Sequence, residues 1–221
     1  MNIVITGGSR GLGEWCVKMF REQGHEVYAP TREFSDLGIG YSAASLIAAG
    51  ASEFEYVDAL INNAAEQGPI GDLHDNHPAE WERCIRVNLI APAMLCRALL
   101  PLMRPGSCIV NISGGGATSP RPNYSAYASA KAGLVRFTET LAEELRPRGI
   151  RCNAVAPGKM ATAMTGFEGD SPRKAAELVA WLASPESAPI TGKLISAVHD
   201  DWRAEDFWML DKDRLTLRRV A

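Results

Sequence analysis

Apolar and polar positions follow two alternating patterns along the chain. Short apolar runs, bounded by glycine, proline or polar residues, recur between longer stretches in which apolar residues fall every three or four positions. The short runs are typical of buried strands, and the longer stretches are typical of amphipathic helices. Their regular succession predicts an α/β fold, a Rossmann-like doubly wound parallel sheet with helices on both faces.

Six strands and five helices are predicted from these patterns. The strands are expected at residues 2–6, 25–29, 56–62, 107–112, 150–155 and 192–197, and the helices at 11–23, 41–49, 79–103, 124–145 and 172–183. No internal repeat, low-complexity run or linker interrupts them. We therefore expect a single domain over residues 1–198, followed by a tail, 199–221, that packs on the domain or on a neighbouring subunit.

Composition and charge exclude several classes of protein. The chain has 46% hydrophobic and 22% charged residues, and its formal net charge is −3 with both signs interspersed. Without a basic stripe, no nucleic-acid or membrane partner is expected. The apolar stretch 89–103 is interrupted by Pro92, Arg97 and Pro101, and is too short to span a bilayer. No signal peptide is evident at the N-terminus, so a cytoplasmic location is expected.

The cysteines and histidines carry no recognisable chemistry. Five scattered cysteines lie mostly among apolar residues and form no Cys-x-x-Cys motif, which predicts buried free thiols in a reducing compartment. The four histidines have no ligand spacing, and His74 and His77 fall in a polar loop. No metal site is predicted.

A glycine-rich turn follows the first predicted strand. Residues 6–13 read TGGSRGLG and lead directly into a helix. Such a turn presents backbone N–H groups and the positive end of the helix to an anion. Gly7 permits the turn, Gly11 allows close approach of a pyrophosphate, and Gly13 allows tight packing of helix on strand. The position of the turn favours a dinucleotide site.

The end of the second strand indicates which dinucleotide is bound. An acidic residue there would bind the ribose hydroxyls of NAD, whereas a cation would accommodate the phosphate of NADP. The chain has Thr31 where the acid would stand, followed by Arg32, and Arg10 in the glycine turn adds a second cation. Although Glu33 lies next to Arg32, the pattern favours NADP(H), with NAD(H) possible.

Tyr127 and Lys131 form the candidate catalytic pair. A spacing of four places the phenol and the ammonium on one face of the predicted helix, one turn apart. Because a nearby cation favours the phenolate, the pair is expected to lower the pKa of the tyrosine toward a range useful for proton transfer. Taken alone, the spacing is equally that of an ordinary surface pair.

Five ordered motifs together resemble the short-chain dehydrogenase/reductase family over nearly the whole chain. They are TGGSRGLG at 6–13, INNAA at 61–65, VNLIAP at 87–92, YSAYASAK at 124–131 and RCNAVAPGKMAT at 151–162. The resemblance implies that Tyr127 is the general acid in carbonyl reduction and that Lys131 binds the nicotinamide ribose. It also implies that Asn88 holds a water in a proton relay.

The resemblance also implies a set of residues that contact the cofactor. Besides Tyr127 and Lys131, the set consists of Gly7, Ser9, Arg10, Gly11, Leu12, Gly13, Thr31, Arg32, Asp36, Leu37, Asn63, Ala64, Pro157, Gly158 and Thr162.

The serine of the family is displaced in this chain. It usually lies thirteen residues before the tyrosine, a position that Gly114 holds here, while Ser113 precedes it. Three glycines after Ser113 could let the loop shift, so Ser113 is the candidate to bind the substrate oxygen. Alternatively Ser113 is structural, and Ser125 or Thr118 approaches the substrate.

Three further departures concern length and the tail. Because the stretch from Arg32 to Val57 is short for the family, a helix is expected to be lost there and Asp36-Leu37 to form a compressed third strand. The segment 163–171 is shorter than the lid of many relatives, which implies an open site. Trp202, Phe207 and Trp208 are expected over the cleft, on a neighbouring subunit or on their own domain.

These observations predict an NADPH-dependent oxidoreductase that interconverts a carbonyl compound and an alcohol, acting on a small molecule. A catalytically weak NADP-binding sensor and a nucleotide-sugar modifying enzyme are the alternatives. Relatives pair through the two long helices, so the resemblance implies a homodimer or homotetramer.

Overall fold

The sheet has six strands, all parallel. The computed structural model describes residues 1–31, 36–39, 41–188, 190–204, 207–209 and 215–217. The strands are β1 (Asn2–Ile5), β2 (Glu26–Tyr28), β3 (Ala59–Asn62), β4 (Cys108–Ile112), β5 (Arg151–Ala156) and β6 (Leu194–Ser196). Their order across the sheet is β2-β1-β3-β4-β5-β6. This confirms the predicted doubly wound parallel sheet.

Helices cover both faces of the sheet. They are α1 (Gly11–Glu22), α2 (Tyr41–Ala51), α3 (Pro78–Ile85), α4 (Ala91–Leu99), α5 (Ser125–Leu145) and α6 (Arg173–Ala183). Helices α1 and α6 pack on one face, and α2, α4 and α5 pack on the other. The two core clusters on either side of the sheet give the molecule three layers.

The alternation of side chains along each strand supplies both cores. In β1, Ile3 and Ile5 belong to the cluster under α1 and α6, whereas Val4 belongs to the cluster under α2, α4 and α5. All three are fully buried. Successive side chains of a strand point to opposite faces, so a strand buried on both faces has apolar residues at consecutive positions. This accounts for the apolar run of Ile3, Val4 and Ile5 in β1.

The long helix predicted at 79–103 is interrupted. Between α3 and α4, residues Arg86–Ile90 form a π-helical turn, in which the N–H of Ala91 bonds the carbonyl of Arg86. Pro92 has no N–H to offer the carbonyl of Asn88, the partner that a regular α-helix would provide. The proline therefore accounts for the break, and the break lies at the predicted active-site asparagine.

The connection after β2 differs from the prediction of a compressed third strand at Asp36-Leu37. Leu37–Ile39 form a single 3₁₀ turn, and α2 follows. The carboxylate of Asp36 accepts a hydrogen bond from the N–H of Gly38 at 2.9 Å. A side chain that bonds the backbone two residues on favours a turn over an extended strand. The predicted helix at 41–49 is confirmed as α2.

The described part of the tail packs on the domain. Trp202 and Phe207 are buried in the core cluster of α1 and α6, with ring centroids 5.6 and 6.0 Å from that of Trp181. Farther on, the carbonyl of Leu215 accepts a hydrogen bond from the N–H of Leu194 at 2.8 Å, along the outer edge of β6. The side chain of Trp208 lies outside the described residues.

One helical segment, Pro78–Leu102, is long and apolar enough by length and composition to span a membrane. It is longer than the stretch 89–103 considered in the sequence, because the helix begins at Pro78. Core helices meet the same criterion, and α4 is packed into the core beside α2. The five cysteines are free and buried, as predicted.

Candidate active site

An open cleft of about 1080 Å³ lies at the carboxyl edge of the sheet. Residues that follow four strands line it: Gly7 after β1, Asn63 after β3, Ser113 after β4 and Pro157 after β5. Strand order reverses between β1 and β3, since β2 lies on one side of β1 and β3 on the other. Ligands of open α/β sheets bind at such a switch point.

The glycine turn forms one wall of the cleft. Gly7 and Gly11 have φ values of 67° and 56°, the left-handed region that favours glycine. A β-carbon at Gly13 would overlap the carbonyl oxygen of Gly7. The turn thus folds back onto the first residues of α1, whose N–H groups have no partner within the helix. This geometry suits a phosphate group.

Asn63 and Thr6 hold the turn against β3. The side-chain amide of Asn63 donates to the carbonyl oxygens of Thr6 and Gly7, at 2.9 and 3.0 Å. In return the Thr6 hydroxyl accepts hydrogen bonds from the backbone N–H groups of Asn63 and Ala64. These four bonds fix the shape of the turn. Sequence reasoning assigned Asn63 a backbone contact only and missed the supporting role of its side chain.

Tyr127 and Lys131 lie in the first two turns of α5, on the face toward the sheet. Tyr127 is 8% exposed and Lys131 only 2%. The ammonium of Lys131 lies 5.5 Å from the centroid of the phenol ring and donates to the carbonyl of Ile112 at 2.7 Å. The predicted pair therefore forms part of the cleft wall and is not an ordinary surface pair.

The pKa values of this pair are governed by burial. Burial raises the pKa of the Tyr127 phenol above its ordinary value, and the guanidinium of Arg121 acts in the opposite direction. Burial also lowers the pKa of Lys131 to about 8. The expected lowering of the pKa of Tyr127 is therefore wrong, since the pKa is raised. Loss of water outweighs the effect of Arg121, because the ring is almost fully enclosed.

Asn88 lies in the π-helical turn and is fully buried. Its amide donates to the carbonyl oxygens of Glu66 and Cys84, at 2.7 and 2.9 Å. Its side-chain oxygen has no hydrogen-bond partner among the described residues. A buried acceptor without a partner is unfavourable unless a water or a ligand satisfies it. The orphaned oxygen is consistent with the predicted water.

The hydroxyl of Ser113 makes no hydrogen bond to the phenol of Tyr127. Ser113 is buried, and its hydroxyl donates to the backbone carbonyl of Lys131 at 3.4 Å. A β-carbon at Gly114, by contrast, would lie 3.3 Å from the hydroxyl of Tyr127. The position that faces the phenol thus carries no side chain. Of the two alternatives, Ser125 accepts a hydrogen bond from the indole of Trp81, and Thr118 bonds the carbonyl of Gly115.

Most residues predicted to contact substrate or cofactor line this cleft. Those that do are Gly7, Ser9, Arg10, Gly11, Leu12, Asp36, Leu37, Asn63, Ala64, Ser113, Tyr127, Lys131, Pro157, Gly158 and Thr162. Gly13 lies beneath the turn, Asn88 is enclosed behind the wall, and Thr31 is exposed outside it. Arg32 falls outside the described residues.

Arg83 and Arg121 are among the cleft residues that sequence reasoning missed. Arg83 bonds the carboxylates of Asp36 and Glu66, at 2.8 and 3.2 Å. Arg121 stacks on Tyr124, with its guanidinium carbon 3.9 Å from the ring centroid. No local pattern marks Arg83, because its partners are distant in sequence. The tyrosines that follow Arg121 in RPNYSAY were a usable signal.

The fold and the site define a doubly wound α/β protein with a nucleotide-type cleft and a buried Tyr-x-x-x-Lys pair. Residues 35–173 match a family model described as enoyl-(acyl carrier protein) reductase. A 3-oxoacyl-(acyl-carrier-protein) reductase of Vibrio cholerae is 32% identical, over 87% of this chain and 93% of the relative. The chain belongs to the short-chain dehydrogenase/reductase family and is an oxidoreductase.

Other relatives have different substrates and cofactors. A 3β-hydroxysteroid dehydrogenase of Eggerthella lenta is 31% identical, over 86% of this chain and 89% of that protein. A 3-ketoacyl-(acyl-carrier-protein) reductase from Brucella melitensis, solved with NADH, superposes with a TM-score of 0.82 at 26% identity, covering 88% and 95% of the two chains. The RhlG protein of Pseudomonas aeruginosa, solved with NADP, gives 0.81 at 25%, covering 88% and 93%.

Proposed function

We propose that the protein interconverts a small carbonyl compound and its alcohol, with NADP(H) as the preferred cofactor and Tyr127 as the proton donor. The observation that carries this proposal is the buried Tyr127–Lys131 pair in the same cleft as the glycine turn. The left-handed conformations of Gly7 and Gly11 support a dinucleotide in that cleft, since no β-carbon there separates backbone from phosphate.

A nicotinamide held in this cleft would supply the hydride in reduction and take it up in oxidation. Tyr127, whose raised pKa keeps it protonated, donates its proton to the carbonyl oxygen during reduction. Lys131, with a pKa of about 8, can release and regain a proton near neutral pH behind the phenol. The free side-chain oxygen of Asn88 is available to hold a water on the path of that proton.

The preference for NADP(H) over NAD(H) depends on charge. Arg10 lines the cleft beside the glycine turn, and Thr31 leaves the end of β2 without a carboxylate at that position. Relatives in solved structures carry either cofactor, so the preference is a proposal about this chain. Initial rates with NADPH and NADH on the same carbonyl compound test it. Higher kcat/KM with NADH would overturn it.

Replacing Tyr127 with phenylalanine tests the catalytic assignment. We expect Tyr127→Phe to lower kcat by about 10²-fold or more, the usual contribution of a positioned acid, while NADPH binding changes little. The measurements are NADPH oxidation with a carbonyl panel and fluorescence titration of the bound cofactor. Tyr124→Phe, which alters a neighbouring tyrosine, is the matched control.

Appreciable turnover by Tyr127→Phe would refute the assignment. If wild-type protein bound NADPH but reduced no member of a wide panel, the cofactor-binding sensor would become the better description. The cytoplasmic location and a homodimer or homotetramer of this chain stay predictions from the sequence.

A further inference from the structure

Cations outnumber carboxylates in the lining of the cleft, although acidic residues outnumber basic ones in the chain as a whole. The chain carries a net charge of −3, yet five cationic side chains and three carboxylates line the cleft. All three carboxylates are paired with cations. Asp36 and Glu66 bond Arg83, and Glu168 bonds Lys159 at 2.6 Å. An excess of positive charge is therefore left inside the cleft.

Arg121 is the excess cation beside the proton donor. Lys131 is buried under the phenol and Arg10 lies at the glycine turn, so both belong to the proposed cofactor side. Arg121 is exposed, and within the described part of the chain it makes no ion pair. Its guanidinium carbon lies 5.8 Å from the centroid of the Tyr127 ring.

The guanidinium of Arg121 lies over the face of Tyr124, next to the ring of Tyr127. Stacking on Tyr124 fixes its plane, because a cation over an aromatic face is attracted by the ring. Opposite the phenol, Gly114 leaves room and supplies no side-chain donor. On the exposed side of the phenol, Arg121 therefore offers a planar, hydrogen-bonding cation suited to a carboxylate or a phosphate.

We propose that Arg121 selects substrates in which an anionic oxygen group, such as a carboxylate, lies a few bonds from the reacting carbonyl. The inference rests on the proposed function, since it places the carbonyl at Tyr127. A charge-assisted, bidentate contact between the substrate and Arg121 would be formed in the ground state as well as the transition state. It should therefore act mainly on KM.

Oxo acids paired with their methyl esters test this inference. We would measure kcat/KM with NADPH for 2-, 3- and 4-oxo acids and for each ester, in wild type, Arg121→Gln and Arg121→Lys. In at least one pair we expect wild type to prefer the acid by about tenfold to a hundredfold, as for a hydrogen bond to a charged group. Arg121→Gln should abolish this preference, and Arg121→Lys should retain part of it.

Arg146→Gln is the matched control, since it removes one exposed arginine at the far end of α5 and should retain the full preference. A second measurement does not depend on turnover. The same acids and esters are titrated into Tyr127→Phe with NADPH bound, and their binding is monitored through the fluorescence of the cofactor. An acid preference in binding without any reduction by wild type would refute the proposed function alone. The role of Arg121 would be overturned if wild type showed no preference for the acid over the ester in any pair. It would also be overturned if Arg121→Gln kept the full preference of wild type.

Discussion

At the scale of single residues, burial of the Tyr127–Lys131 pair sets the properties of the two side chains. The phenol of Tyr127 and the ammonium of Lys131 are both enclosed, and burial moves their pKa values in opposite directions, raising that of the phenol and lowering that of the ammonium to about 8. A buried lysine is costly for folding, because its charged form is desolvated while the unfolded chain exposes it. The lysine is therefore expected to reduce stability while serving the reaction.

Lys131→Met should reveal this cost. The pKa of Lys131 is about 8 in the folded protein and 10.5 ordinarily, so the unfolded chain binds more protons between these values. The penalty is therefore complete below about pH 8 and disappears above about pH 10.5. Below about pH 8 the variant should therefore have a larger free energy of unfolding than wild type. This difference should shrink by up to about 3 kcal/mol when the pH is raised above about 10.5. Urea unfolding at several pH values measures it, and a pH-independent difference would contradict it.

Gly114→Ser should restore a hydroxyl opposite the phenol. Gly114 has a φ of 175°, an extended conformation that serine adopts readily, and its β-carbon would lie 3.3 Å from the Tyr127 hydroxyl. One added hydrogen bond to the oxygen of the substrate carbonyl should raise kcat/KM about threefold to tenfold. Gly114→Ala controls for the added carbon, and no gain of serine over alanine would count against the prediction. Ser113→Ala, measured alongside, tests the serine proposed from sequence.

The residues of this site were predictable to different degrees. Tyr127, Lys131 and the glycine turn follow from local spacing and from their order along the chain. The direction of the pKa shift at Tyr127 did not follow, because it depends on enclosure by elements distant in sequence. Likewise Gly114 and Ser113 are adjacent, and only the backbone of the loop decides which of them faces the phenol.

At the scale of elements, the short connection between β2 and α2 is anchored by α3. Arg83 of α3 reaches Asp36 and Glu66, and a β-carbon on Gly38 would overlap its guanidinium. The backbone carbonyl of Glu66 in turn accepts a hydrogen bond from the side-chain amide of Asn88. Arg83 therefore links the segment of Asp36 and Leu37, which is predicted to contact the cofactor, to the predicted active-site asparagine.

Arg83→Gln should weaken cofactor binding more than catalysis. The substitution removes a half-buried cation and its ion pairs with the carboxylates of Asp36 and Glu66, so the Asp36–Gly38 segment loses its contact with α3. We expect the Kd for NADPH to rise about threefold to tenfold with little change in kcat. Fluorescence titration measures the Kd. Arg86→Gln, which removes an exposed i,i+4 pair on the adjoining turn, should leave it unchanged. Equal effects of the two variants would exclude a specific role for Arg83.

The sequence predicted the six strands and their order along the chain, but two connections needed the structure. The helix at 79–103 appeared continuous because its apolar pattern is continuous. In the structure a π-helical turn at Arg86–Ile90, just before Pro92, interrupts it. The 3₁₀ turn at Leu37–Ile39 depends on a side-chain contact of Asp36 that no periodicity records.

At the scale of the whole molecule, two described residues of the tail, Trp202 and Phe207, belong to the core. Trp202 is 4% exposed and lies against Trp181, so the first part of the tail completes the layer formed by α1 and α6. The alternatives of a tail over the cleft or on a neighbouring subunit do not apply to Trp202 and Phe207. Aromatic character alone could not distinguish these destinations.

Trp202→Ala should destabilise the fold. Removal of a buried tryptophan leaves a large cavity, so we expect the free energy of unfolding to fall by about 3–5 kcal/mol. Trp15→Ala, at a site that is 37% exposed on α1, should cost markedly less. Chemical denaturation of both variants provides the comparison. Equal losses would show that the tail is not part of the cooperative core.

The tail also closes the outer edge of the sheet, and this has a consequence for the protein in concentrated solution. At one end of the sheet, Leu215 occupies the hydrogen-bonding edge of β6. At the other, β2 is only three residues long and begins with the exposed Glu26. Long uncovered strands act as templates for intermolecular β-structure, and short, charged or covered ones do not. Within the described chain, neither end of the sheet offers a template for fibril growth.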